Sequence, residues 1–271
     1  MNKSTYRRVM TVAGSDPSGG AGVQADIKTI SACGCFATSA IVAVVDENTV
    51  GVTGVHPVPV DFVVGQIHSI LDDIGTDAVK IGMLHSSPLI SAVRDVLDQY
   101  PDINNIVLDP VMVATSGDPL LQADAVATLR DVLIPRCCVI TPNIPEAEIL
   151  LGEEIRFSDQ LPEAAVSLAR FGTSVFLKAG HLSDDTLVDI FYNAETGRMI
   201  RLQSPRIDTV NTHGTGCTLS SAIASFLALG NSLSDSARLA KKYINDAIAA
   251  GSRYTIGKGH GPVHHFHSFW K

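Results

Sequence analysis

Residues 9–33 read VMTVAGSDPSGGAGVQADIKTISAC. Residues 9–14 are an apolar, β-branched run ending in glycine, the pattern of a buried strand. From residue 20 to 33 the apolar positions recur at helical spacing, and a glycine-rich turn joins the two parts. The unit strand–turn–helix then repeats along the chain. Strand-like runs lie at 39–45, 77–82, 105–110, 138–143 and 174–180, and helix-period segments at 60–73, 88–99, 122–133, 144–151 and 160–171. This alternation predicts an α/β fold, a central mostly parallel sheet with helices on both faces. Residues 187–205 suggest an antiparallel pair ahead of two further helices at 214–229 and 233–251. No repeat, low-complexity tract or long linker interrupts the pattern, so residues 1–271 are expected to form a single domain. In such sheets ligands gather outside the carboxyl ends of the strands.

Bulk properties narrow the function. The 271 residues are 45% hydrophobic, with mean hydropathy +0.22, enough to bury a large core. The net charge of −8 and pI of about 5.5, without a basic run, leave no electrostatic footprint for nucleic acid. A small anion would need a local site. Five cysteines, at 33, 35, 137, 138 and 217, are an odd number at spacings foreign to zinc sites, which fits reduced thiols. No signal-peptide core and no membrane-length apolar run is present, so a soluble cytoplasmic protein is expected.

The strongest local signal is NTHGTGCTLSSAIASFLALG (211–230). Gly214, Thr215 and Gly216 precede an apolar helix that begins near Cys217. Free N–H groups and the positive dipole end at such a terminus favour an anion, and a thiol there is pushed toward thiolate. The segment therefore reads as a phosphate cradle, a reactive cysteine, or both.

Other strand ends carry polar residues. Glu47, Asn48 and Thr49 follow a buried strand and either read a polar small molecule or form a solvated loop with an Asx turn. Asp109 ends the strand before DPVMVATSGDPLL and suits magnesium, a phosphoryl group or a turn cap. Asn143 and Glu146 stand three apart at a strand-to-helix junction. Their oxygens suit magnesium, and the same spacing makes a capping box.

Three features are decoys. Gly20-x-Gly22-x-x-Ala25, with Asp46 after the next strand, imitates a dinucleotide fingerprint, but the turn is too long. Gly257-Lys258 lacks the spacing and hydroxyl of a phosphate-binding loop. In the tail GHGPVHHFHSFWK, the histidines are too close together for one closed metal site, so a structural or intersubunit role is expected.

Taken together, AGSDPSGGAGVQADIKT, KIGML, LDPVM, SGDPLL, TPNIPEA, LKAGH, NTHGTGCTLSSAIA and GPVHHFH closely resemble the bacterial hydroxymethylpyrimidine/phosphomethylpyrimidine kinases of thiamine biosynthesis. These belong to the ribokinase-like superfamily, and the blocks occur in order from about residue 8 to the C-terminus. The resemblance implies transfer of the γ-phosphoryl of MgATP to a hydroxymethylpyrimidine and then to its monophosphate. It implies that Gly214, Thr215 and Gly216 form the anion hole and that Cys217 is the general base, where most sugar kinases of the superfamily have aspartate. It also implies Asn143 and Glu146 at magnesium, Asp109, Lys178 and Thr215 at ATP, and Asp26, Glu47 and Met83 at the pyrimidine. A homodimer is the family expectation, with no nucleic-acid or membrane partner.

One residue departs from the pattern. Relatives usually have glutamine where this chain has Glu47, and an ionised carboxylate only accepts hydrogen bonds. Either Glu47 or the bound ring must then carry a proton, and burial favours the neutral acid. Pyridoxal kinase is the nearest rival; one subgroup has a second cysteine in the loop after DPVM, where this chain has Ala114. An NAD-dependent oxidoreductase and a non-catalytic pyrimidine-binding regulator are the rivals from other classes.

Overall fold

The computed structural model describes residues 5–112, 121, 124–180 and 186–270. Most of the VATSGDPLL loop and His181 lie outside the described residues. Nine strands form one sheet: β1 (Arg8–Ser15), β2 (Phe36–Asn48), β3 (Gly51–Pro57), β4 (Ala78–Ile81), β5 (Ile106–Leu108), β6 (Val139–Ile140), β7 (Ser174–Leu177), β8 (Thr186–Asn193) and β9 (Arg198–Pro205). Their order is β3-β2-β1-β4-β5-β6-β7-β8-β9. From β2 to β7 neighbours are parallel, while β3, β8 and β9 add antiparallel pairings at the two edges. The chain leaves β1 toward β2 on one side and returns to β4 on the other, which opens a crevice at the carboxyl ends.

Strand periodicity sorts the apolar side chains into two cores. Met10, Val12, Val79, Ile81, Ile106 and Leu108 face one core, whereas Val9, Ala78, Val107, Val139 and Phe176 face the other. The first core is covered by α2 (Val60–Asp73), α3 (Ser87–Asp98), α5 (Ile144–Leu151) and α6 (Leu161–Ala169). The second lies under α7 (Thr215–Ala228) and α8 (Leu233–Gly251), with α1 (Gly22–Ala32) on the same face. Helices on both faces explain why the inner strands are apolar at nearly every position.

Two segments differ from expectation. Residues 122–133 were expected to be one helix, but α4 (Ala125–Thr128) passes into a π-helical turn at Leu129–Leu133 and a 3-10 turn at Ile134–Arg136. Pro135 lacks the N–H that a further α-helical turn would use. The strand expected over 39–45 is longer and part of a hairpin: β2 runs through Glu47, with a bulge between Asp46 and Glu47, and pairs with β3. The Asx turn exists at its tip, where Val50 N donates to Asn48 Oδ1 at 2.8 Å. Among the described residues no helix is long and apolar enough to cross a membrane.

Candidate active site

A cleft of about 640 Å³ runs along the carboxyl ends of the strands and the start of α7. Gly14, Val45, Glu47, Met83 and His213 line one end. Residues 214–217, Asp109, Lys178, Asn143 and Glu146 form the middle, and Leu187, Arg206, Ile207, Ile244, Asn245 and Ile248 the other end. The fingerprint residue Asp46 is not among the lining residues, so the dinucleotide pattern does not converge on the cleft.

The centre depends on glycine. Gly214, the residue before α7, has φ +76°, and a Cβ there would lie 1.8 Å from the Gly20 carbonyl oxygen. Only glycine tolerates both the left-handed backbone and that approach. The first helical bond of α7 runs from Thr218 N to Gly214 O, so the amides of Gly216 and Cys217 have no carbonyl four residues back to use. These N–H groups, with the helix dipole, make an anion-binding end. Asp109 and Lys178 come up against this turn, since a Cβ on Gly216 would be 3.1 Å from Asp109 Oδ2 and from Lys178 Nζ.

Lys178 Nζ donates to Asp109 Oδ1 at 3.0 Å and lies 3.8 Å from Glu146 Oε2, and Thr141 Oγ1 donates to Asp109 Oδ1 at 2.9 Å. Asn143 and Glu146 form the capping box: Glu146 N donates to Asn143 Oδ1 and Asn143 N to Glu146 Oε2. The box holds both side chains beside the cleft, so capping and ligation are compatible uses of the pair. Burial pushes the Glu146 carboxyl up to about 7, Lys178 opposes this and Asp109 adds to it. Two carboxylates thus share one ammonium in a desolvated place. Hard oxygen donors with surplus negative charge fit a divalent cation such as magnesium.

Cys217 lies where the sequence puts it, in the first turn of α7 and on the cleft wall. Its ionisation differs from expectation. Burial pushes the thiol up to about 12, and Asp26 and Asp109 add to that. Lys80 and a hydrogen bond from Gly22 N oppose it without prevailing. In the unliganded protein Cys217 is a thiol, because desolvation outweighs the helix terminus.

Asp26 is a second correction. It is absent from the lining of the cleft and fully buried; Oδ2 accepts from Lys80 Nζ at 2.9 Å and Thr11 Oγ1 at 2.6 Å, and Oδ1 accepts from Ser221 Oγ at 2.8 Å. Its carboxylate supports Lys80 beneath the cleft and does not face a ligand. Lys80 is a site residue that the sequence reading quotes in KIGML without a role. A lysine inside a four-residue buried strand was the available signal, since buried lysines need a partner.

Glu47 and Met83 do reach the cleft, as expected for ligand contacts. Two neighbours were missed. Asp16 and His213 pair at 2.9 Å, although 197 residues separate them. The C-terminal tail secures this end. His213 N donates to Gly261 O, His260 N to Thr49 O, and His265 Nε2 meets Thr218 Oγ1 at 3.2 Å. Burial, with Lys28 and His264 nearby, pushes His265 down to about 3, so it packs against α7 as a neutral ring.

The chain is similar to known proteins over nearly its whole length. The family profile described as phosphomethylpyrimidine kinase matches residues 16–264. The hydroxymethylpyrimidine/phosphomethylpyrimidine kinase of Escherichia coli K12 is 45% identical over 263 residues, 96% of this chain and 98% of that one. Among solved structures, the pyridoxal kinase of Bacillus subtilis in complex with ADP superposes with TM-score 0.87 at 34% identity, covering 96% of this chain and 98% of that one. The phosphomethylpyrimidine kinase of Clostridium difficile 630 does so with TM-score 0.78 at 40% identity, over 89% of this chain and 99% of that one. With the family profile matched over residues 16–264 and 45% identity to a relative over nearly its whole length, the chain belongs to the phosphomethylpyrimidine kinase family.

Proposed function

We propose that this protein transfers the γ-phosphoryl of ATP to the hydroxymethyl oxygen of 4-amino-5-hydroxymethyl-2-methylpyrimidine, and then a second phosphoryl to the monophosphate. The carrying observation is the position of the α7 terminus, midway between a small end lined by Glu47 and Met83 and a longer end lined by β8, β9 and α8. The acceptor occupies the first end and the nucleotide the second. Phosphoryl transfer asks mainly for positioning and charge stabilisation, which this arrangement supplies.

As the bond from the acceptor oxygen to phosphorus forms, the bond from phosphorus to the β,γ-bridging oxygen breaks and ADP leaves. The amides of Gly216 and Cys217 donate to the moving group's equatorial oxygens, and Lys178 offsets their charge. The alcohol's proton goes to Cys217 Sγ. Only the thiolate can take that proton, so the role requires Cys217 to give up its resting thiol proton to solvent as the substrates bind, and Lys80 favours that ionisation. Asn143, Glu146 and Asp109 would hold magnesium, which supplies charge neutralisation to the ATP phosphates.

Pyridoxal kinase is the second reading, favoured by the superposition on a pyridoxal kinase of Staphylococcus aureus with AMP-PCP and pyridoxal, TM-score 0.88 at 30% identity. Coupled ADP release with the pyrimidine alcohol, its monophosphate and pyridoxal offered separately decides between them. The proposal expects the highest kcat/KM with the pyrimidine compounds; turnover confined to pyridoxal overturns it.

A further inference from the structure

The acceptor end contains a charged constellation that the phosphoryl chemistry leaves unused. Asp16 Oδ2 accepts from Gly20 N at 3.0 Å, Ala21 N at 2.7 Å, Ser18 Oγ at 2.8 Å and His213 Nε2 at 2.9 Å, and Oδ1 accepts from Ser18 N at 2.7 Å. A carboxylate so surrounded is fixed in place. The ligand atoms of Asp16, Glu47 and His213 lie within 4.8 Å of one another, but Oδ2 is filled by four donors and His213 Nε2 carries the proton it gives to Oδ2. The cluster is better read through its charges.

His213 is buried, and its ring is packed so closely on Gly20 that a Cβ there would lie 2.4 Å from Cδ2. Its backbone N–H donates to Gly261 O at 3.0 Å. The same Nε2 that meets Asp16 is 3.9 Å from Glu47 Oε1. The other charged groups nearby point elsewhere: Lys28 of α1 donates to Gly19 O at 2.7 Å, and His260 Nδ1 sits 3.3 Å from Val210 O. The tail meets the His213 backbone through Gly261 and Pro262. Asp16 and Glu47 are therefore the charges that His213 meets. Burial alone would lower the pKa of the imidazole, but the hydrogen bond and charge of Asp16, with Glu47 adding, raise it above the ordinary histidine value.

We propose that His213, clamped by Asp16, is a positioning residue that sets the protonation of Glu47 and with it the pH range over which the cleft accepts a ring edge pairing an amino group with a ring nitrogen. This rests on the acceptor assignment above. An ionised carboxylate accepts from the amino group but turns a lone pair toward the ring nitrogen, so the pair needs one shared proton. A cation 3.9 Å away favours the ionised carboxylate and resists that proton. Acceptor affinity then falls as pH rises past the ionisation of Glu47, and His213 places that fall at lower pH than an uncharged neighbour would.

The test is log KM for the pyrimidine alcohol against pH at saturating MgATP. In the parent, KM rises about tenfold per pH unit above a midpoint. In His213→Gln the midpoint moves up by about 1 pH unit or more. Glu47→Gln flattens the profile. KM for ATP stays within about threefold in both variants, because neither touches the nucleotide end. NMR titration of the His213 ring in the parent reads the same device without a His213 variant: its midpoint lies above the ordinary histidine value and drops in Glu47→Gln. A midpoint unmoved or lowered in His213→Gln, or a His213 ring indifferent to Glu47→Gln, overturns the proposal. Turnover with a pH-independent KM also overturns it while leaving the kinase reading intact. No turnover of the pyrimidine alcohol overturns the acceptor assignment itself.

Discussion

Two lysine–aspartate pairs flank the first turn of α7, and they do different work. Lys80 and Asp26 are sealed, with neither side chain exposed, and Asp26 is further held by Thr11 and Ser221. Lys178 and Asp109 face the cleft, with 16% of the lysine side chain exposed and Glu146 as a second anion nearby. A sealed pair with every partner fixed supplies a constant field. An open pair, short of one positive charge, can exchange its partners with an incoming ligand. Lys80 is thus scaffolding for the electrostatics of Cys217, and Lys178 is a working group.

That contrast predicts effects of different kinds. Removing the sealed cation in Lys80→Met leaves Asp26 buried without its counter-charge, and stability should fall by about 4 kcal/mol, read by urea unfolding. A loss smaller than about 1 kcal/mol would show that Asp26 finds water or protonates cheaply, and the distinction would dissolve. Lys178→Ala should lower kcat by about 10²–10³, equivalent to about 3–4 kcal/mol, since it removes charge stabilisation from the moving phosphoryl. Its stability loss should be under half that of Lys80→Met, because Glu146, its carboxyl already raised to about 7, can take up a proton and relieve the uncompensated charge.

Glu146→Gln sharpens the comparison from the other side. The Glu146 pKa is raised to about 7, so its contribution relative to the unfolded chain is fully present below the ordinary carboxylate value of 4.5 and is lost as pH rises through 7. Above pH 7 the parent therefore carries an ionised carboxylate at a cost that glutamine avoids. The variant should be more stable than the parent there by about 2 kcal/mol, with the gain gone below the ordinary carboxylate range, while kcat falls. Equal stability at both ends of the pH range would contradict a strained, cation-seeking site.

The layering was legible in the sequence because buried parallel strands and amphipathic helices write their periods directly. β3 was not. Its seven residues, GVTGVHP, are half-buried or exposed throughout, so no alternation marks them, and the strand exists through its pairing with β2. Within the site, Gly214 and Gly216 were legible because a close approach excludes side chains. Asn143 and Glu146 were legible as a spacing, which the structure realises as a capping box beside the cleft. Asp26 was misread because resemblance fixes a residue's place in the chain and not the direction of its side chain. Lys80, Asp16 and His213 were missed because their partners are 54 and 197 residues away. The helix terminus suggested a thiolate at Cys217, but burial beside Asp26 and Asp109 could be weighed only once the chain was folded.

Cys217→Ala tests the central claim most directly, because it removes the sulfur and leaves the amides of the anion hole in place. With ATP and the hydroxymethylpyrimidine both saturating, coupled ADP release should fall by about 10²–10⁴ in kcat while KM for ATP changes little. Turnover within a few-fold of the parent would show that the acceptor's proton does not go to Cys217.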